Sequence, residues 1–486
     1  MNVRLSQIRE ALAGVQSVDF SDVAVTSITH DSRKVREGAL FVALEGGSAD
    51  GHHFVAEAIR ADCAAVIASR PLDIARRVPQ LVVADTRVAF ALASAALAGN
   101  PARRMTVVGV TGTNGKTTTS TLVRACLQAG GFPCALFGTV SYEIGERSIP
   151  APMTTPDPPE LHAYLAEALA QGIRHASMEV SSHSLHQHRV DGIPFAAAIF
   201  TNLTRDHLDY HKTPEAYRDA KGILFEGLSP QSAAILNSDD ETADHYGRRT
   251  KARVVRYGLS GNPDVGAEIL DRSLGGTRLA LRLPTGTVEL KTRLIGRHNV
   301  SNLLAAAACA HALGIPPDQT VAGLAGVASV RGRLEPVEAG QPFAVLVDYA
   351  HTDDALANVL RTLREVTRGR ILTVFGCGGD RDRGKRPLMG RTVERLGDFA
   401  FVTSDNPRSE DPQAIVREIL AGMTQPDRFR AIVDRTEAIR EAIRAALPGD
   451  AILIAGKGHE TYQIFRDGVK PFDDRLVARA ALSPGA

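Results

Sequence analysis

The sequence predicts an α/β protein of three domains: a small N-terminal α/β domain, a central P-loop ATPase-type domain on a mostly parallel sheet, and a C-terminal doubly wound, Rossmann-like domain. Three observations carry this. A chain of 486 residues exceeds one ordinary hydrophobic core and fits about three domains of roughly 100–200 residues. Short apolar runs alternate with helical patterns along the chain, the mark of parallel strands joined by crossover helices. The alternation is broken twice, at Gly99-Asn100-Pro101 and near Arg333, which sets expected domains at 1–100, 101–333 and 334–486.

Each domain has its own runs. In the first, Leu40 to Leu44, Ala64 to Ala68 and Leu81 to Ala84 are β-rich, and an alanine-rich helix follows. In the second, the strand Met105 to Val110 runs into a glycine-rich turn and an amphipathic helix from Lys116 to Gln128, ended by Gly130-Gly131. Ala176 to Val180, Phe195 to Thr201 and Ala233 to Leu236 continue this sheet. Arg278 to Leu283 and Thr287 to Lys291 then alternate across Pro284-Thr285-Gly286 as an antiparallel hairpin. In the third domain, Ala344 to Val347, Ile371 to Phe375, Phe399 to Thr403 and Ala451 to Ala455 are strands separated by helices.

Composition narrows the function classes. Fifty-six basic side chains against 55 acidic ones argue against bulk polyanion binding, and so against nucleic acid, while leaving small phosphorylated ligands open. Cys63, Cys126, Cys134, Cys309 and Cys377 are scattered, with no CxxC pair, which speaks against a disulfide framework and against zinc knuckles. The N-terminus mixes charges with apolar residues, and no stretch reaches about 18 uninterrupted apolar residues. A cytoplasmic protein without membrane association is therefore expected.

The strongest local signal is Gly109-Val-Thr-Gly-Thr-Asn-Gly-Lys-Thr-Thr118, between the predicted strand and helix. Glycines let successive backbone N–H groups turn toward phosphate oxygens, and the helix N-terminus adds partial positive charge. Lys116 then reaches the β- and γ-phosphates of ATP and Thr117 can ligate Mg2+. The general pattern asks for glycine where Val110 stands; Gly109 and Gly112 flank it instead, so this is a variant loop. Gly112, Thr113, Asn114, Gly115 and Thr118 complete the expected nucleotide cradle.

A phosphate loop does not by itself separate motors, switches, kinases and ligases. Glu179, in Ser177-Met-Glu-Val-Ser-Ser-His183, ends a predicted strand, where open α/β sheets place ligands, although one such glutamate is also compatible with a structural role. The run Thr201-Asn-Leu-Thr-Arg-Asp-His-Leu-Asp-Tyr-His211 is dense in donors: His207 suits a magnesium ion or a phosphate, and an ordinary polar loop stays open. His207 and His211 are spaced like zinc ligands but lack a third ligand nearby.

Taken together, these motifs resemble the Mur ligase family, ATP-dependent amide-forming enzymes of peptidoglycan precursor synthesis. The similarity runs from Asp31-Ser32-Arg33 to Gly456-Lys-Gly-His-Glu460. It implies domains that hold a UDP-linked substrate, ATP and an amino acid in turn. It also implies that Glu179 and His207 hold magnesium, and that Lys221 is carbamylated and orients the metal; on spacing alone Lys221 reads as a solvated helix lysine. For the UDP-MurNAc-L-Ala-D-Glu substrate the family pattern maps onto His30, Ser32, Gly47, Ser48 and Ala49, with Thr154, Thr155, Ser181, Gln187 and Arg189 from the central domain. Asn299, Arg331 and Asp348 resemble elements that close on the nucleotide.

Amino-acid specificity is expected from Asp405, Asn406, Pro407 and Arg408. Meso-diaminopimelate carries one carboxylate more than lysine, and an arginine fork meets such a group with two charge-assisted bonds. Arg381, Gly456 and Glu460 would hold its other amino and carboxyl groups. The implied enzyme is a ligase that works through an acyl phosphate, and a monomer is expected. Two alternatives stay open: a folylpolyglutamate synthetase, which should lack the Asp31-Ser32-Arg33 domain and Asp405 to Arg408, and a nucleotide-dependent switch or transport ATPase.

Overall fold

The computed structural model describes residues 3–46, 49–74 and 78–483, so Gly47 and Ser48 lie outside the described residues. Two compact units are found. One comprises 1–266, 283–286 and 302–323; the other comprises 267–282, 287–301 and 324–486.

The first unit carries two sheets. Its five-stranded sheet runs Gln16–Val18, Gln80–Val82, Ala65–Ala68, Ala39–Val42, Ser27–Thr29, with the four strands from Gln80–Val82 onward parallel and Gln16–Val18 antiparallel at the edge. Ala39–Val42 and Ala65–Ala68 are buried at every position, as strands covered on both faces must be, and their apolar runs record this. The helix Thr86–Leu97 begins at Asp85, whose carboxylate accepts from the N–H groups of Arg87 and Val88.

The eight-stranded sheet is ordered Arg147–Pro150, Ser141–Ile144, Cys134–Phe137, His175–Glu179, Thr106–Thr111, Phe195–Phe200, Ala233–Asn237, Arg253–Tyr257. From Cys134–Phe137 onward the neighbours are parallel; the first three strands form an antiparallel meander. Thr106–Thr111 lies near the middle. Its C-terminal end, and that of its neighbour His175–Glu179, deliver the phosphate loop and Glu179 to the same edge of the sheet. The core beneath combines Phe137, Tyr142, Leu165, Met178, Phe200 and Phe225.

In the second unit a six-stranded sheet runs Glu335–Pro336, Ala344–Asp348, Ala451–Ala455, Ile371–Phe375, Phe399–Val402, Phe429–Ala431, parallel except for the first strand. One face packs Leu360, Leu363, Phe375 and Met389, and the other Val345, Phe401, Ile439 and Ile452. This is the doubly wound architecture expected. Gly276–Leu283 and Gly286–Thr292 are sheet neighbours joined by two residues, a connection that only an antiparallel hairpin permits. Among the described residues, no helix is long and apolar enough to cross a membrane.

Candidate active site

The phosphate loop joins Thr106–Thr111 to the helix Lys116–Ala129, whose first N–H groups and positive dipole end point back at it. Two glycines are required by geometry. Gly112 has φ +146° and Gly115 φ +86°, and a Cβ would overlap Thr201 Oγ1 at the first and Asn302 Oδ1 at the second. Asn202 braces the loop: its backbone oxygen accepts from Thr113 N (2.8 Å) and its Oδ1 from Asn114 N (3.0 Å).

Two lysines meet at this loop. Lys116 Nζ donates to the oxygens of Gly112 (2.9 Å) and Thr113 (2.8 Å), and Lys221 Nζ donates to the same Gly112 oxygen at 2.9 Å. Here the spacing-based expectation for Lys221 is corrected. It is 1% exposed, because the buried stripe of the helix Pro214–Glu226 is Tyr217, Ala220, Lys221, Leu224 and Phe225, and the lysine stands within it. Burial, and then the charge of Lys116, hold the Lys221 amine well below its usual value. A neutral amine is the form that adds carbon dioxide, and the resulting carbamate would set an anion beside the Lys116 ammonium in place of a second amine on one carbonyl.

Glu179 is also buried, at 1% exposure. Its Oε1 accepts from Thr139 N (2.8 Å) and its Oε2 from Thr139 Oγ1 (3.0 Å), while Thr139 Oγ1 lies 3.2 Å from Thr154 Oγ1. Thr155 Oγ1 donates to the Glu179 backbone oxygen and accepts from Ser181 N. Thr154, Thr155 and Ser181 thus surround the end of one strand. His207 is exposed, has left-handed φ of +52°, and meets His183 edge to face at 4.8 Å. Desolvation lowers its pKa, with Asp206 opposing. His211 is buried, its Nε2 3.0 Å from Ser182 Oγ, and burial brings it down to about 4. Among the described residues no group of three or more His, Cys, Asp or Glu side chains could hold a metal. Thr117, Glu179 and a carbamate on Lys221 would supply hard oxygen donors of the kind magnesium takes.

A cavity of about 130 Å³ brings together His30, Gln187 and Arg189 with Arg87, Phe90 and Asp157. Arg189 Nη2 donates to Gln187 Oε1 at 2.7 Å and its Nε lies 3.3 Å from Asp157 Oδ1; His30 meets Phe90 edge to face. Sequence reasoning missed Arg87 and Asp157, which carry no motif. Ser32 and Ala49 are not part of this lining, and the Ser32 hydroxyl donates to Glu57.

In the second unit, Asp405, Asn406, Arg408, Gly456 and Glu460 converge. Asn406 Nδ2 donates to Glu460 Oε2 (2.9 Å), Lys457 Nζ donates to that oxygen (2.9 Å) and to Asn406 Oδ1 (3.0 Å), and the Arg408 guanidinium donates to the Gly379 oxygen (2.8 Å). Gly456 has φ +114°, and a Cβ there would stand 2.5 Å from Asp405 Oδ2. Pro407 is buried, Arg408 half-buried and Arg381 exposed. Lys457 is a member of the cluster that the motif reading passed over, although it stands inside Gly456-Lys-Gly-His-Glu460. Asp348, expected near the nucleotide, accepts from Leu334 N (2.7 Å) and Ala350 N (2.8 Å), and burial raises its pKa. Asn299 Nδ2 donates to the Ile295 oxygen, and Arg331 is exposed.

Comparison with known proteins identifies the family of the chain. Family profiles match as the Mur ligase family catalytic domain at residues 24–105, the Mur ligase middle domain at 110–310 and the Mur ligase glutamate ligase domain at 332–458. A UDP-N-acetylmuramoyl-L-alanyl-D-glutamate--2,6-diaminopimelate ligase of Geobacillus thermodenitrificans is 46% identical over 465 residues, covering 94% of this chain and 95% of that one. The protein of the same name from Geobacter metallireducens is 46% identical over 473 residues, 93% of each chain. A solved structure of a ligase of that name superposes with a TM-score of 0.74 at 34% identity over 99% of both chains. The folylpolyglutamate synthase of Mycobacterium tuberculosis shares the fold, with TM-score 0.61 at 22% identity, over 76% of this chain and 92% of that one. Profiles that tile 24–458 and relatives matched nearly end to end leave one assignment: the chain belongs to the Mur ligase family.

Proposed function

We propose that this protein is the ATP-dependent ligase that joins meso-diaminopimelate to UDP-N-acetylmuramoyl-L-alanyl-D-glutamate, through an acyl phosphate. The observation that carries the chemistry is the pairing of Lys116 and Lys221 on one loop carbonyl at the mouth of a strand-to-helix turn. The near full-length identity to ligases of that name supports the choice of substrates. Residues 1–100 bind the UDP end, 101–333 bind ATP and 334–486 bind the amino acid.

In this reading the D-glutamyl carboxylate attacks the γ-phosphate of ATP, the bond from the γ-phosphorus to the bridging oxygen breaks and ADP leaves an acyl phosphate behind, while Lys116 turns from the loop carbonyls to the charge that develops on the phosphoryl oxygens. Thr117, Glu179, His207 and a carbamate on Lys221 would hold Mg2+, which neutralises phosphate charge when bound. Gly112, Thr113, Asn114, Gly115 and Thr118 line the cradle, and Asn299, Arg331 and Asp348 support the nucleotide. His30, Ser32, Gly47, Ser48, Ala49, Thr154, Thr155, Ser181, Gln187 and Arg189 serve the muramoyl dipeptide. The amine of meso-diaminopimelate, held by Arg381, Asp405, Asn406, Pro407, Arg408, Gly456 and Glu460, attacks the acyl phosphate, and the tetrahedral adduct expels phosphate to leave the amide. The protein acts, in this reading, as a monomer in the cytoplasm.

Phosphate release measured while one component at a time is omitted tests this. Release is expected only when ATP, the dipeptide substrate and meso-diaminopimelate are all present; release indifferent to the two acceptors would refute the reading. With 18O in the glutamyl carboxylate, one label per turnover is expected in the liberated phosphate.

A further inference from the structure

Arg408 is expected to meet the carboxylate that distinguishes meso-diaminopimelate from lysine, yet within its own segment the guanidinium has only a long bond to the Asn406 oxygen (3.4 Å), and its shorter one (2.8 Å) goes to Gly379 in the facing loop. It sits at φ +54°, a left-handed conformation that a non-glycine residue holds only when its surroundings over-determine it. Asp380, in the facing loop, is left-handed too, at φ +53°. The two loops leave neighbouring parallel strands, Ile371–Phe375 and Phe399–Val402, and are pressed together: a Cβ on Gly379 would overlap the Pro407 oxygen.

Main chain and side chains together lock this contact. Gly379 N donates to the Asn406 oxygen (2.9 Å), and Ser409 Oγ donates to Asp380 Oδ1 (2.6 Å). Asp380 N donates to Glu410 Oε1 (2.6 Å). Behind them lies Arg386, on the helix Lys385–Leu396, with a fully buried side chain. Its guanidinium grips Glu410 with two bonds, Nη2 to Oε1 at 2.8 Å and Nη1 to Oε2 at 2.9 Å. It also donates to the Gly378 oxygen (3.3 Å) and to Glu418 Oε2 (2.8 Å). Arg383 pairs with Glu418 as well, so two cations balance two carboxylates. Arg386 is thus bonded to both loops at once, and Glu410 relays that grip to the backbone of Asp380.

We propose that Arg386 and Glu410 are positioning residues that rivet these loops together, so that Arg408 presents its guanidinium to the distal carboxylate of the amino-acid substrate in one orientation. This rests on the role given to Arg408 above. Neither residue touches the substrate; both act through Arg408. The consequence falls on one substrate group, and lysine, which lacks the carboxylate, should not register it.

The test uses Glu410→Gln, which keeps size and surrenders the charge of a partly exposed residue, with Arg386→Lys as a second variant. Steady-state phosphate release is measured with meso-diaminopimelate and, at high concentration, with lysine. In Glu410→Gln the KM for meso-diaminopimelate should rise about 10-fold or more, with kcat and the KM for ATP near wild type and kcat/KM for lysine unchanged. Added to Arg408→Ala, the substitution should cause no further loss, as expected of residues acting as one unit. Equal losses with both amino acids, additive losses with Arg408→Ala, or an unaltered KM for meso-diaminopimelate would overturn the proposal. Should Arg386→Lys fail to fold, Glu410→Gln decides alone. A wild-type protein that makes no product from meso-diaminopimelate would instead sink the proposed function.

Discussion

In the phosphate loop, Lys116 and Lys221 rest on backbone oxygens within a few residues of the glycines that shape the turn. In the loop Asp405–Arg408, order comes from charged side chains that surround it: Glu410, just past the loop in the chain, and Arg386, Lys457 and Glu460 from other elements. One site is a backbone device whose cations lean on carbonyls, and the other is a mesh of side-chain ion pairs between separate strands. A site that recognises a feature shared by all nucleoside triphosphates can be made from main chain. A site that must tell one amino acid from another by a single carboxylate needs a guanidinium held from several directions.

If the two sites are separable in this way, substitutions should divide their effects. The largest is expected from Lys116→Ala: turnover should fall by at least about 10⁴-fold, while calorimetry still finds meso-diaminopimelate affinity near wild type. Loss of amino-acid binding in that variant would break the comparison. Next comes Arg408→Ala, for which kcat/KM with meso-diaminopimelate should drop by about 10²–10³-fold with the KM for ATP unchanged. Gly115→Ala sharpens the main-chain half, since φ +86° and the neighbouring Asn302 oppose a Cβ. Stability should fall by about 1–3 kcal/mol in denaturant titrations, accompanied by weaker ATP binding.

The smallest effect concerns pH. His162 is wholly buried in the unit that carries the phosphate loop, neither ring nitrogen has a partner, and burial takes its pKa down to about 4. The unfolded chain, titrating near 6.5, binds the proton first, so stability is full above that value and is lost as pH falls toward 4. His162→Leu should remove on the order of 2 kcal/mol of the stability difference between pH 8 and pH 5, read as a smaller shift in melting temperature.

What could be read in advance follows the same division. Ile371–Phe375 and Ala451–Ala455 were expected at these bounds, and the strand and helix flanking the phosphate loop within a residue or two, because buried parallel strands are continuous apolar runs. Cys134–Phe137 through Pro150 went unread: this edge meander is short, and Ser141–Ile144 alternates so briefly that periodicity has little to act on. Lys221 was misjudged on spacing because a lysine is ordinarily assigned to solvent. Yet Tyr217, Leu224 and Phe225 bracket it at helical intervals, and the buried stripe they form was present in the sequence. Arg87, Asp157 and Thr139 join their sites only through tertiary folding, and no local pattern marks them.

The resting posture of Lys116 has a consequence for selectivity. Its ammonium must release two carbonyl partners, at 2.9 and 2.8 Å, before it can greet a phosphate. A bare inorganic anion must offset that loss with its own bonds alone, whereas a nucleotide, in the proposed reading, also brings a base and a sugar that would make contacts elsewhere. In the proposed reading the loop would therefore set a threshold, favouring a ligand large enough to anchor itself independently of the lysine over small oxyanions.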